Sequence, residues 1–239
     1  MKPIVLFLPL LLLMPTGCSD TSTNPLPTPR NREAESMALY VSRELVAPQD
    51  LYEELLASLT FVRETWKDSI PDLENIFFVP PWVPGQLLIR LTEEAEERYR
   101  EGTYTDLDSL HEEFRLESCS MGYSGSPRCV FEGLLHPERL AEPYETVSSV
   151  VYAEPNGILF NIFNVYPWEL DTGRTFLFRN GWGDCPAGCI NNRYSYFKEI
   201  DGAWEWIGTF VHREGPEPDW WEEARIARDC FGAYPDCPE

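Results

Sequence analysis

The sequence predicts an α+β fold: an antiparallel sheet with helices packed on one face, extended by C-terminal antiparallel β-hairpins and cross-linked by disulfides. Three observations support this prediction. Helical periodicity dominates the first half of the folded region, β-type runs dominate from residue 157 onward, and six of the seven cysteines follow the N-terminal region. A chain of 239 residues can form one large domain or two small domains that share a core.

The first residues have the pattern of an export signal. One lysine precedes an apolar run from Ile4 to Met14, which is too short to span a bilayer but has the length of a signal-peptide core. Two small residues then precede Cys18, and this pattern resembles the bacterial lipobox, whose cysteine is diacylated and becomes the new N-terminus. The resemblance implies that residues 1–17 are removed and that Cys18 is lipidated. Pro15 stands where a lipobox usually has leucine, so an ordinary secretory signal is the alternative.

Residues 18–32 are rich in Ser, Thr, Asn and Pro, and they carry too few apolar side chains to offset the entropy of folding. We expect a disordered, extended tether that holds a folded body above a lipid surface. Ser19 in place of aspartate resembles lipoproteins sent to an outer membrane. The expected location is therefore the bacterial cell envelope, with the lipid on Cys18 as the membrane contact; a periplasmic or secreted protein is the alternative.

The net charge is −21 and the sequence pI is near 4.4, with acids spread along the whole chain. Nucleic acid is excluded as a partner, because phosphate binding requires clustered Lys and Arg. The chain has no EF-hand loop and no acidic glycine-rich repeat, so we expect no calcium site and no cofactor. The acidic surface is interpreted as a source of solubility and repulsion at a cell surface.

Six cysteines remain after Cys18, and an even number in an exported chain is typical of disulfides. They are Cys119, Cys129, Cys185, Cys189, Cys230 and Cys237. Their spacing predicts three local pairs, in "CSMGYSGSPRC", "CPAGC" and "CFGAYPDC", although six cysteines allow fifteen connectivities.

The alternative for "CPAGC" is a redox dithiol formed by Cys185 and Cys189. The structural interpretation is favoured, because Asp184 raises the pKa of a neighbouring thiol and redox motifs usually have two intervening residues rather than three. A zinc site is not predicted, since the three histidines show no paired ligand spacing.

Residues 33–75 are predicted to be a helical segment. Apolar residues recur at helical spacing in "REAESMALYVSRELVA" from residue 32 to residue 47, and Pro48 stops this first helix. Asp50 is the expected cap of a second helix that runs to Trp66.

Residues 76–156 are predicted to be a mixed α+β part that begins with two short strands within "LENIFFVPPWVPGQLLIRL". Thr92 is the expected cap of a helix that Gly102 ends. A second helix is expected to turn His111 towards solvent or a partner. A strand "CVFEGLL", a helix beginning at Pro137 and a strand "SSVVYAE" follow.

Residues 157–239 are predicted to form antiparallel hairpins and a closing helix, and residues 76–239 could be a single domain. The strands are "ILFNIFNV", "RTFLFRN", "RYSYFKEI" and "AWEWIGTFV", and Asp201-Gly202 is the expected turn of the last hairpin. Trp204 and Trp206 alternate along one strand, which favours a core position, and Asp219 is the expected cap of the last helix.

Two phrases, "VPGQLLIRL" and "VVYAEPNG", look like the propeptide domain that precedes subtilisin-type proteases. The resemblance implies a ferredoxin-like antiparallel sheet with helices on one face, and it implies an inhibitor or folding assistant of an exported protease. No downstream segment resembles the catalytic Asp, His or Ser segments of such a protease. From Pro80 to Val211, "GDCPAGC" and the aromatic hairpin after it resemble a group of uncharacterised exported bacterial proteins, which implies a fold but no mechanism.

The sequence does not predict a catalytic site. "GYSGS" around Ser124 lacks the final glycine of a nucleophile elbow, and "HEEF" at His111 lacks the second histidine of a zinc-protease helix. Trp82, Trp220 and Trp221 are the candidate binding residues, because partly exposed rings anchor contacts. The favoured function is a non-enzymatic binding module for a protein, peptide or glycan at the cell surface.

We predict that mass spectrometry of the mature exported protein finds acyl chains on Cys18 and no free thiol, because one sulfur is used for lipid and six for cross-links. An unacylated N-terminus, or sulfhydryls that bind metal, would contradict this prediction.

Overall fold

The computed structural model describes residues 31–121, 126–158, 162–170, 173–185 and 189–232. Its helices are α1 (Arg32–Ser42), α2 (Gln49–Trp66), α3 (Glu93–Arg100), α4 (Asp108–Glu113), α5 (Pro137–Glu145) and α6 (Trp221–Asp229), with a 3₁₀ turn at Leu73–Asn75. Its strands are β1 (Trp82–Leu91), β2 (Leu116–Met121), β3 (Pro127–Phe131), β4 (Val150–Gly157), β5 (Phe163–Leu170), β6 (Gly173–Trp182), β7 (Asn191–Ile200) and β8 (Ala203–Val211). These elements confirm the predicted α+β class.

The first sheet has the strand order β2-β3-β1-β4, and its neighbouring strands are antiparallel. Together with α3, α4 and α5 this is the ferredoxin-like β-α-β-β-α-β arrangement, as expected for this part of the chain. Leu87, Ile89 and Leu91 alternate along β1 and face a core that includes Leu140 and Tyr144 of α5. Strand β2 was not predicted, because its short sequence "LESCSM" places only two residues on the inner face.

The second sheet is a meander with the order β5-β6-β7-β8. Asp201 and Gly202 join β7 to β8 with positive φ values of 51° and 77°, which confirms the predicted hairpin turn. One face of this sheet packs on α1 and α2, and the other face packs on α6. The C-terminal sheet is therefore covered by helices on both sides.

The aromatic residues of β7 and β8 divide between these two faces. Trp204 stacks on Phe176 with ring centroids 4.6 Å apart, on the face covered by α1 and α2. Tyr194 and Tyr196 point the other way and pack with residues of the α6 face. The predicted core position is therefore correct for Trp204 and wrong for Trp206, which is 39% exposed, and Tyr194 and Tyr196 contribute to a separate core.

Residues 76–79 were predicted to be a strand and are not one; residues 76–81 form no ladder with either sheet. Polar side chains hold this extended segment instead. Asn164 is fully buried, accepts a hydrogen bond from the Val79 N–H at 2.8 Å and donates to the Val79 carbonyl at 3.1 Å. The carboxylate of Glu33 accepts a hydrogen bond from the Phe78 N–H at 2.7 Å. These bonds replace the missing strand partner.

Glu33 also pairs with Arg63 and so joins α1 to α2. The guanidinium donates from Nη1 and Nη2 to the two carboxylate oxygens at 2.8 and 2.7 Å, and Nη2 donates to the Ile76 carbonyl at 2.6 Å. The side chains of Arg63 and Glu33 are only 16% and 11% exposed. One ion pair therefore holds two helices and the segment that leads into β1.

The first helix ends earlier than predicted, at Ser42 rather than residue 47. Arg43 adopts a left-handed conformation, and the loop after it binds α5: the Arg43 carbonyl accepts from Arg139 Nε at 2.8 Å, and the Leu45 carbonyl accepts from the His136 N–H at 3.0 Å. Tertiary hydrogen bonds have overridden the local helical pattern here. They also tie the N-terminal helices to the ferredoxin-like part.

The expected helix caps have mixed outcomes. Thr92 accepts from the Ala95 N–H at 3.3 Å, which confirms it as the cap of α3. Asp50 is not a cap, because α2 already begins at Gln49 directly after Pro48. Asp219 is not a cap either, since α6 begins at Trp221 without a side-chain cap. Asn31 lies in the segment predicted to be a tether and caps α1 through its side chain.

None of the helices in the described part of the chain combines the length and the apolarity that a bilayer crossing requires.

We predict that Glu33→Gln lowers the free energy of unfolding by roughly 3 kcal/mol, because it leaves the Arg63 guanidinium poorly compensated at a sheltered site. Urea unfolding measures the change. Glu64→Gln is the matched control, since Glu64 pairs with Lys67 at 2.7 Å in an exposed ion pair. Equal losses for the two variants would contradict the structural role given to Glu33.

Candidate functional site

Two of the three predicted disulfides lie within the described residues, and both are confirmed. Cys119 of β2 stands directly opposite Cys129 of β3, with a Cα–Cα distance of 4.1 Å. Cys185 and Cys189 are bonded with a Cα–Cα distance of 3.9 Å. Cys230 is also in a disulfide. Cys237 and the predicted lipidation site Cys18 lie outside the described residues, as does Ser124.

The Cys185–Cys189 disulfide closes the connection between β6 and β7, as predicted. It packs against Gly181 so closely that a Cβ added there would lie 2.7 Å from the Cys189 sulfur. The disulfide thus occupies the space that a side chain at position 181 would need. This close packing supports a structural role for the disulfide.

Trp82 was predicted to be partly exposed, and the structure contradicts this. Its side chain is only 4% exposed and packs in the core of α1 and α2, with its ring 4.8 Å from the ring of His136. Trp82 begins β1 directly after the segment held by Glu33 and Asn164, so its ring enters the core.

Trp221 is also buried, at 3% exposure, against Tyr194 of β7. Trp220 is half-buried and stacks on Tyr196 with centroids 5.5 Å apart. Gly208 leaves room for the Trp220 indole, whose Nε1 would lie 2.8 Å from a Cβ at that position. The expected exposed aromatic pair is therefore the contact between α6 and the second sheet. The three candidate tryptophans form no common surface site.

A cleft of about 370 Å³ lies where the last turn of α1 meets the edge strand β5 and the start of β6. The residues that line it are Tyr40, Val41, Ser42, Arg43, Pro167, Trp168, Glu169 and Arg174. It combines aromatic rings with two arginines in a protein of net charge −21. Cation-bearing clefts with aromatic walls are typical of ligand sites.

Arg174 dominates the chemistry of this cleft. Its side chain is 9% exposed, and its guanidinium lies 2.8 Å from a Glu54 oxygen through Nη1 and 3.2 Å from a Glu169 oxygen through Nη2. Both carboxylates are more than half exposed, at 56% and 60%. The Nη1 contact lacks hydrogen-bond geometry, and buried Nε has no acceptor among the described residues. The wall of the cleft therefore includes a guanidinium that is held by two exposed carboxylates.

The aromatic walls are fixed by packing. Tyr40 packs against Phe78 and Phe231, with ring centroids 5.6 and 5.0 Å away, and burial raises the pKa of Tyr40 to about 12. The phenol therefore stays protonated at neutral pH. Trp168 is half-buried on β5, where the Thr175 hydroxyl donates to its carbonyl at 3.2 Å.

Pro167 disfavours the addition of a further strand at the edge of the second sheet. It pairs with Phe176 of β6 on one side, and none of the strands in the described residues pairs with the other side of β5. Proline has no N–H to donate, and a proline on an edge strand blocks the addition of a further strand. A ligand of this cleft is therefore held by side chains rather than by a backbone ladder.

Sequence reasoning missed the cleft, because its residues come from two segments, 40–43 and 167–174, that lie far apart in the chain. Neither segment has a motif. The one local signal is an arginine that follows a glycine at the start of a β-type run.

Comparison of the chain with protein-family models, with curated proteins and with solved structures finds no match.

We predict that the free energy of unfolding falls as the pH drops from about 6.5 towards 4, because of His136. Burial, followed by the charges of Arg139 and Arg43, lowers the pKa of His136 from 6.5 to about 4. Between these two pH values His136 is protonated in the unfolded chain and neutral in the folded chain. The contribution of neutral His136 to the free energy of unfolding is fully present above pH 6.5, the pKa of the unfolded chain, and it is lost as the pH falls towards about 4. Unfolding titrations of His136→Leu should show a shallower pH dependence in this window; an unchanged slope would contradict the assignment.

Proposed function

We propose that this protein is a non-enzymatic binding module of the bacterial cell envelope, anchored by lipid on Cys18, whose cleft between α1 and β5 binds an envelope glycan. The observation that carries the proposal is that the Arg174 guanidinium and the aromatic residues Tyr40 and Trp168 line one cleft.

The polar side of the cleft suits a ligand that is rich in oxygen atoms. Arg174 Nη2 donates to Glu169 at 3.2 Å, and because this carboxylate is 60% exposed, a hydroxyl, carboxylate or ring oxygen of a ligand can compete for the donor. Its two carboxylate partners stand at the exposed rim, where Glu169 can exchange its ion pair for a ligand contact. A ligand rich in oxygen fits this arrangement.

The shape and lining of the cleft also fit a sugar. Trp168 and Tyr40 offer apolar ring surface beside the polar group, and the volume of about 370 Å³ matches one or two sugar rings rather than a folded partner. A peptide that adds a strand to β5 is disfavoured, because Pro167 removes a backbone donor from the edge. Sugar rings can use the aromatic walls and the guanidinium together.

The predicted location of the protein agrees with an envelope ligand. The predicted lipobox cysteine and the tether after it would keep the body at a membrane surface, and the acidic surface would keep it soluble there. The first sheet has a ferredoxin-like strand order. That fold hosts many unrelated functions, so it does not select an inhibitor over a binding module.

We predict that the protein binds members of a panel of neutral and acidic envelope oligosaccharides in isothermal titration calorimetry. Ser42→Trp should abolish binding, because an indole on the last turn of α1 fills the cleft. Arg174→Lys should weaken binding about tenfold, since the lysine ammonium does not reproduce the planar set of guanidinium donors.

Ser69→Trp is the matched control, because Ser69 is exposed and lies after α2, outside the cleft. It should bind as the wild type does. If the wild type binds no sugar of the panel, or if Ser42→Trp binds as tightly as the wild type, the proposed function is wrong.

A further inference from the structure

The disulfide between β2 and β3 lies beside an imidazole. The two sulfurs of Cys119 and Cys129 and a ring nitrogen of His111 all lie within 4.8 Å of one another. His111 was expected to face solvent or a partner and to lack a ligand partner; instead α4 turns it towards the cross-link. The three residues come from α4, β2 and β3, so no sequence spacing reveals the cluster.

The imidazole is sheltered and incompletely bonded. His111 Nε2 is buried and has no hydrogen-bond partner among the described residues. Its ring packs 5.9 Å from the ring of Tyr144, and Cys129 is 1% exposed. Cys119 is half-buried, which leaves access from one side. A buried nitrogen without a partner costs free energy and calls for an explanation in terms of a ligand.

We propose that reduction of the Cys119–Cys129 disulfide creates a binding site for a thiophilic metal ion such as Zn²⁺, with both cysteines and His111 as ligands. Two thiolates and one neutral imidazole are the donors that Zn²⁺ and Cu⁺ prefer. Three protein ligands leave a further position for water or a substrate atom.

The chemistry balances with an external dithiol as the reductant. The dithiol gives two electrons and two protons to the Cys119–Cys129 bond, which breaks into two thiols, and the dithiol itself becomes a disulfide. Zn²⁺ then binds both sulfurs and His111, and the two thiol protons are released to solvent.

The strands need little movement to accommodate an ion. Zn–S bonds of about 2.3 Å in tetrahedral geometry place two sulfurs about 3.8 Å apart, which side-chain rotation can reach once the S–S bond is broken. Ser118 pairs with Val130 and Ser120 with Arg128, so the ladder on both sides of the cysteines holds β2 against β3. The scaffold of the site therefore survives reduction.

The test measures Zn²⁺ binding by competition with a chromophoric chelator, after reduction of the full mature protein with a phosphine. The reduced wild type should bind one Zn²⁺ more than Cys119→Ser/Cys129→Ser, and the oxidised wild type should not bind at this site. His111→Gln should weaken binding at this site at least about tenfold, because it removes one of three ligands. His212→Gln is the matched control and should bind as the wild type does.

Equal zinc binding by the reduced wild type and the double-serine variant would overturn the proposal, as would unchanged affinity in His111→Gln. A second measurement uses only the wild type, and it tests the proposal even if a variant fails to fold. In the reduced wild type, Zn²⁺ should slow alkylation of Cys119 and Cys129 more than alkylation of Cys185 and Cys189, as peptide mass spectrometry would show. Equal slowing at all four cysteines would also overturn the proposal.

Discussion

The buried pair of Glu33 and Arg63 is the contact on which the arrangement of this protein depends. It holds α1 to α2, and through the Phe78 N–H and the Ile76 carbonyl it also fixes the extended segment that leads into the ferredoxin-like part. That segment has no strand partner, so side-chain hydrogen bonds from Glu33 and Asn164 determine its path. Burying an ion pair is expensive, and the additional backbone partners offset that cost here.

Much of the fold follows from local sequence pattern. The hairpin at Asp201-Gly202, the Thr92 cap and the helix beginning at Pro137 are each set by residues close together in the chain, and the structure confirms them. The extended segment could not be predicted, because its apolar residues have the pattern of a strand while its hydrogen bonds come from side chains 45 and 85 residues away. The periodicity of apolar residues indicates which residues are buried, but it does not indicate which groups form hydrogen bonds with the backbone.

The candidate sites, too, could be predicted only where their residues are close together in the sequence. The cysteine pairs were predictable because short loops place their partners side by side. Trp82 and Trp221 were assigned to a surface from their residue type and flanking prolines or acids, and packing against His136 and Tyr194 buries them. The cleft around Arg174, in contrast, is assembled from segments that touch only after the second sheet has packed on α1.

The two ends of helix α1 have different roles. Its first turn is held by Asn31, whose N–H also donates to the Tyr52 hydroxyl at 3.0 Å, while its last turn forms one wall of the cleft. Eleven residues of helix put these ends about 16 Å apart. A pull exerted on the chain from its N-terminal side would therefore enter at the capped end of α1, one helix length from the turn that lines the cleft.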